Sequence, residues 1–386
     1  MPGIIKERLF TPGPTPLLMD AQIRTLAAGN VHHRTEAFRK IMSETLELLK
    51  YYYDTRNDVL LFACSGTGVM EGSVCNLLSP GDRILVGTAG KFGERWLGLA
   101  KAFGIEAVKV EFPYGQPVNI DAIKQKLASE GPFRAVYIQA TETSTAVMND
   151  VQALGEAVKN YPETALVVDA ITGLGTSDLR VDEWGLDIVI GGSQKAVMIP
   201  PGLAFASISA KAWGLIAKAT LPRYYFDFAK ERKNQSKGET AYTPATTLVI
   251  ALHAALEYIR KIGRENLIAN AALLAEASRA AAQALGLKLF AESSPANAAT
   301  AVCAPAGMDS GAIVKEMRTR FGAIIANGQG SMKGQIFRLA HLGYYDVADL
   351  FAVFAALEIA LLKLGHKVEL GAGVRAAQQV YLRRAG

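Results

Sequence analysis

Short apolar runs that return between helical patterns constrain this chain more than any other feature. The runs are VLLFAC (Val59 to Cys64), DRILVG, EAVKVEF, RAVYIQA (Arg134 to Ala140), TALVVDA (Thr164 to Ala170), LDIVIGG (Leu186 to Gly192) and LAFASIS (Leu203 to Ser209). Each has strand length and is bounded by turn residues. Helical patterns lie between them, as from Glu94 to Phe103. Strands apolar on both faces need cover on both faces. That predicts an α/β fold with a largely parallel sheet clothed by helices.

The flanks differ. Thr11 to Leu17 holds three prolines in seven residues and reads as an extended arm. Thr35 to Tyr53 places Phe38, Ile41, Met42, Leu46 and Leu49 at helical spacing. After Thr247 the texture changes to long alanine-rich helices, Leu248 to Ile262 and Glu265 to Leu285. Weaker strands follow at Lys288 to Ala291, Thr300 to Cys303 and Gln335 to Leu339, then two helices. The expected organisation is an arm over 1–20, a large domain over 21–255 and a small α+β domain over 256–386.

Composition removes several functions. Lys plus Arg is 41 and Asp plus Glu is 36, a net charge of +5. The densest basic stretch, Lys230 to Lys237, carries Glu231 and is followed by Glu239. It reads as a solvated loop, so no nucleic-acid partner is expected. Cys64, Cys75 and Cys303 show no CxxC spacing and make no disulfide framework; Cys64 reads as a core thiol. The first ten residues lack a long apolar stretch, and Leu350 to Leu364 is short for a membrane span and carries Glu358 and Lys363. The expectation is a cytoplasmic protein with no membrane partner.

In open parallel sheets, ligands bind beyond the carboxyl ends of the strands. Four features fall there. Ser65-Gly66-Thr67-Gly68 is a glycine-rich turn opening a helix, either a phosphate cradle or simply a tight turn. Asp169 closes an apolar run, as a functional acid or an N-cap. Lys195 follows Gly191-Gly192-Ser193-Gln194, as a desolvated nucleophile or a surface lysine. Phe92 is a stacking ring or a core residue. Each alone is weak. Together they supply what pyridoxal phosphate needs: a phosphate anchor, a Schiff-base lysine, an acid for the pyridinium nitrogen and a stacking face.

At this point the chain resembles the class V pyridoxal-phosphate aminotransferases of fold type I, most nearly the serine–pyruvate/alanine–glyoxylate group. The segment Leu186 to Lys195 with Pro200-Pro201-Gly202 carries the likeness, with Ser65 to Gly68, Glu142 to Thr145 and Val167 to Ile171. It runs from Gly13-Pro14-Thr15-Pro16 into the 330s and 340s.

The resemblance implies a mostly parallel seven-stranded sheet and a set of roles. Lys195 would hold pyridoxal 5′-phosphate and shuttle a proton. Asp169 would pair with the ring nitrogen. Phe92 and Ile171 would cover the ring faces, and Ser144 would bond near the ring's 3′-oxygen. Thr67, Gly68 and Gln194 would hold the phosphate. Tyr242 with Thr246, or Thr243, would reach the phosphate of a neighbouring subunit, which implies a homodimer. Arg338 would grip the substrate α-carboxylate. Val69 stands where many relatives carry histidine, and His32, His33 and Arg34 are either entrance or turn residues.

The implied reaction is ping-pong transfer from alanine or serine to glyoxylate or pyruvate. Alternatives are another donor (aspartate, 2-aminoethylphosphonate or ureidoglycine), a desulfurase or β-lyase, or a partner-binding subunit of the kind associated with hydrogenases. A desulfurase usually has histidine before the lysine and a mobile cysteine. Here Gln194 precedes Lys195, and Cys303 lies in an apolar run.

Overall fold

The computed structural model describes residues 4–385. Seven strands form the main sheet in the spatial order Asp58–Phe62, Ala204–Ile208, Ile188–Gly192, Ala165–Asp169, Ala135–Gln139, Arg83–Thr88 and Glu106–Glu111. Alternate side chains feed two cores. Leu61, Leu85, Val136, Val168 and Phe205 pack on one face. Leu60, Val86, Tyr137, Val167 and Ile190 pack on the other. Each fully buried aliphatic side chain contributes roughly 2 kcal/mol, which is why these runs are apolar throughout.

Among the described residues, Ala204–Ile208 is the one reversed strand of this sheet. A parallel neighbour needs a crossover, usually a helix. The chain from Ser193 to Leu203 has none. It turns back directly through Pro200-Pro201-Gly202, with Ser193 N–H on the Leu203 carbonyl at 3.0 Å.

A second sheet has the order Arg8–Phe10, Ala323–Asn327, Ile336–Ala340, Ala299–Cys303. Phe10, Val302, Ile325, Phe337 and Leu357 give it a core of its own. The start of the chain is thus more than an arm: Arg8–Phe10 is a strand parallel to Ala323–Asn327. Residues 11–17 are non-helical, as the prolines require.

Two local expectations are corrected. Lys288 to Ala291 forms no strand; Leu289 makes one isolated bridge to Val302, and the segment leaves the sheet before Pro295. The basic stretch is largely a helix, Phe228–Gln235, not a loop. Asp227 caps it by accepting from Lys230 N–H at 3.0 Å. Phe228, Glu231 and Gln235 face inward at helical spacing, and the cations are left outside. The earlier helix Glu36–Tyr53 starts where Thr35 accepts from Phe38 N–H at 3.3 Å. No described helix is long and apolar enough to cross a membrane.

Candidate active site

Gln139, Asp169 and Gly192 end three neighbouring parallel strands, so the segments that follow them share one edge. Asp169 is buried and accepts from the Ile171 N–H at 3.0 Å. Burial raises its pKa to about 6. Glu142 pushes the same way; the Ile171 N–H, Arg95 and Lys195 oppose it.

Lys195 sits three residues past its strand. The Thr15 hydroxyl donates to its carbonyl at 2.9 Å, and its amine donates to the Pro12 carbonyl. Burial lowers the amine's pKa to about 8. Asp169 works against this, while Arg338 and Arg95 add to it. A lysine held near that value is available as a neutral nucleophile around physiological pH.

The glycine-rich turn opens the helix Gly66–Leu77. Ser65 makes no side-chain capping bond at the positive end of this helix. Ile171 packs over Gly66 and lies beside Gly192. The Gln194 amide shares that corner, and its oxygen is buried without a partner. Gly68 is turned to packing: its N–H donates to the Ser65 carbonyl at 2.8 Å, and a Cβ there would lie 2.8 Å from Cys64 Sγ and Phe226 Cζ.

Glu142 is a site residue that had no role assigned from sequence. It is fully buried and accepts from Phe92 N–H at 3.1 Å, Gly93 N–H at 2.9 Å and Ser144 N–H at 3.2 Å. It thereby caps the helix Lys91–Ala102. Burial raises its pKa, against the pull of Ser144 and those N–H groups. The Ser144 hydroxyl donates to Glu142 and accepts from Lys91 N–H at 3.1 Å. Its single hydrogen is committed, so Ser144 meets a ligand as an acceptor only.

Arg95 also had no role assigned. It lies one helical turn beyond Phe92, its guanidinium carbon 4.9 Å from that ring's centroid, and it donates to Thr67 Oγ1 at 3.0 Å. The turn-spaced Phe92/Arg95 pair in KFGER was the signal available in the sequence.

Arg338 lies mid-strand in the second sheet, opposite Ala301 and Ala326. Nη1 donates to the Thr143 carbonyl at 2.9 Å and Nη2 to the Asn327 carbonyl at 2.8 Å. Nε is buried with no partner. Burial lowers this guanidinium's pKa to about 10 despite Glu142.

Other expected residues lie apart. The Tyr242 hydroxyl donates to the Tyr224 carbonyl at 2.7 Å and accepts from Lys230 at 3.1 Å; its ring stacks on Tyr225 at 5.1 Å. Thr246 opens the helix Thr246–Ile262. No hydrogen bond from either reaches Lys195, Asp169, Thr67 or Gln194 among the described residues. His32 belongs to the turn before Glu36–Tyr53, where its carbonyl accepts from Thr35. Burial pushes the Cys64 and Cys75 thiols up to about 12 and raises Cys303 as well, so none is an activated nucleophile. Cys64 is only partly buried, less enclosed than a core thiol.

The helix end without a side-chain cap, the acid of Asp169 beside the amine of Lys195 and the unpartnered Arg338 Nε fit pyridoxal phosphate and an amino-acid carboxylate. Comparison with known proteins agrees. The aminotransferase class-V family model matches residues 19–343. The soluble hydrogenase 42 kDa subunit of Anabaena cylindrica is 42% identical over 97% of this chain and 99% of its own. The serine–glyoxylate aminotransferase of Methylorubrum extorquens is 32% identical over 98% and 96%. The crystal structure of a subgroup IV aspartate aminotransferase from Thermus thermophilus superposes with a TM-score of 0.86 at 33% identity, covering 92% and 99%. With fold, edge and relatives in accord, this chain belongs to the class V aminotransferases, pyridoxal-phosphate enzymes of fold type I.

Proposed function

We propose that the enzyme moves the amino group of a small amino acid, alanine or serine, to glyoxylate or pyruvate. The observation that carries this reading is the convergence of Lys195, Asp169 and Arg338 where the two sheets meet. The serine–glyoxylate relative supports the donor and acceptor class.

Bound pyridoxal 5′-phosphate supplies an electrophilic carbon and a ring that draws electrons from the substrate Cα. Lys195 would hold that carbon at rest. Its freed amine would take the proton from the substrate Cα and deliver it to that cofactor carbon, two bonds away across the nitrogen. Asp169 would accept from the ring nitrogen and keep it protonated. Arg338 takes the α-carboxylate through Nε–H and its remaining Nη–H, a planar fork that lysine lacks. Phe92 and Ile171 would cover the ring faces, with Ser144 as an acceptor near the 3′-oxygen. Thr67 and Gln194 hold the phosphate, and the packing of Gly68 gives it the smallest share.

A second copy completes the site in this reading. Tyr242 and Thr246, or Thr243, serve the neighbouring phosphate, so the working unit is a homodimer. Tyr242 lies in a partly exposed tyrosine cluster, which supports its being offered outward. Residues 21–255 then form the cofactor domain and 256–386 the small domain that brings Arg338. Three free thiols suit a cytoplasmic setting.

Two other readings each have an observation in their favour. The Thermus thermophilus structure points to aspartate as donor. The Anabaena cylindrica relative points to a partner subunit, but such a scaffold has no need for the buried Lys195, Asp169 and Arg338 together. The test is a matrix of amino donors against keto acceptors with purified enzyme. Alanine or serine with glyoxylate or pyruvate should give the highest kcat/KM. Preference for aspartate would replace the donor, and inactivity with every pair would reject the reading.

A further inference from the structure

The residues assigned to the phosphate are all neutral: Thr67, Gly68 and Gln194. A phosphate monoester carries about −1.5 to −2 charges near pH 7. One partly buried cation stands at this turn. Arg95 reaches from the helix Lys91–Ala102 to the start of the helix Gly66–Leu77 and donates to Thr67 Oγ1 at 3.0 Å. Thr67 is an acceptor in that bond, so its own hydrogen is free for an anion, and the charged donor strengthens it. The same guanidinium lies over the Phe92 ring at 4.9 Å and fixes that ring's plane.

We infer that Arg95 is the positive charge of the phosphate cradle, a positioning residue that acts through the Thr67 hydroxyl while clamping Phe92. The inference rests on the pyridoxal-phosphate reading of the turn. It predicts that Arg95 matters for the phosphate group and not for the ring as such.

The test uses apo enzyme and two probes that make no covalent bond to Lys195: pyridoxamine 5′-phosphate and pyridoxamine. Dissociation constants are measured by equilibrium dialysis for wild type, Arg95→Gln, Arg95→Lys and Thr67→Val. Arg95→Gln should weaken the phosphorylated probe by about 10- to 100-fold, the loss of one charge-assisted hydrogen bond, and change pyridoxamine little. Arg95→Lys should recover part of that loss, because charge returns without the fork. Thr67→Val should weaken the same probe selectively, and adding Arg95→Gln to it should cost less than the sum of the two. Equal weakening of both probes, or no weakening, overturns the assignment. Additive losses in the double variant overturn the route through Thr67. Wild type that binds neither probe overturns the cofactor reading itself.

Discussion

The backbone of Gly13 lies directly against the side chain of Lys195: a Cβ at Gly13 would sit 2.7 Å from Lys195 Cε. Gly13 also has φ +127°, a region costly for any other residue. The extended segment therefore packs on the reactive lysine, with Pro12 and Thr15 bonded to it on either side. Gly13→Ala should destabilise the protein by about 1–3 kcal/mol and impair cofactor uptake. Gly29→Ala is the comparison: its φ is +61° with nothing within 4 Å, so it should cost stability only. Thermal melts and cofactor titration of both variants check this.

Asp169 gives a pH-dependent prediction. Its folded pKa, about 6, lies above the ordinary 3.8. A carboxyl raised in this way opposes folding once ionised. The cost is absent below the unfolded pKa and complete above the folded one. A rise from 3.8 to about 6 is worth about 3 kcal/mol. Apo Asp169→Asn should therefore be more stable than apo wild type near pH 8, by up to that amount. The gain should fade as pH falls through 6 towards 4. Urea unfolding at both ends of this range measures it, and a gain that grows towards acid would contradict it.

Glu142 caps one helix and anchors Ser144. Glu142→Gln puts an NH2 group among N–H donors and should cost roughly 1–3 kcal/mol in unfolding free energy. Glu142→Gln with an unchanged urea midpoint would remove the capping role.

Arg338 touches the substrate in the proposed mechanism. Arg338→Lys should lower kcat/KM for the amino donor by about 100-fold, the loss of a bidentate charged pair. Cofactor affinity should hold. Steady-state kinetics beside a cofactor titration separates the two effects.

Much of this is legible in the sequence. The seven apolar runs became the seven strands of the main sheet, because burial on both faces leaves a plain signature. Lys195 and Asp169 stand out at strand ends, but only the set of four features and the family resemblance give them roles. Other features were hidden. The reversal of Ala204–Ile208 depends on a turn without a crossover, and apolar runs carry no direction. The pairing of Arg8–Phe10 with Ala323–Asn327 joins residues over three hundred positions apart, where periodicity is silent. Glu142 and Arg95 look like ordinary surface charges in the sequence. Only the fold turns one inward as a helix cap and lays the other across Phe92 and Thr67. The helix at Phe228–Gln235 was masked by its cations, which lie on the solvent side of an inward Phe228/Glu231/Gln235 face.

The most direct measurement is a single turnover at Lys195. Purified enzyme loaded with pyridoxal phosphate is mixed with L-alanine or L-serine and no keto acid, and the visible spectrum and released keto acid are followed. Wild type should lose its yellow colour and release one keto acid per site, then recover the colour on adding glyoxylate or pyruvate. Lys195→Ala should do neither. An unchanged wild-type spectrum with every small amino acid, or full turnover by Lys195→Ala, would contradict the assignment.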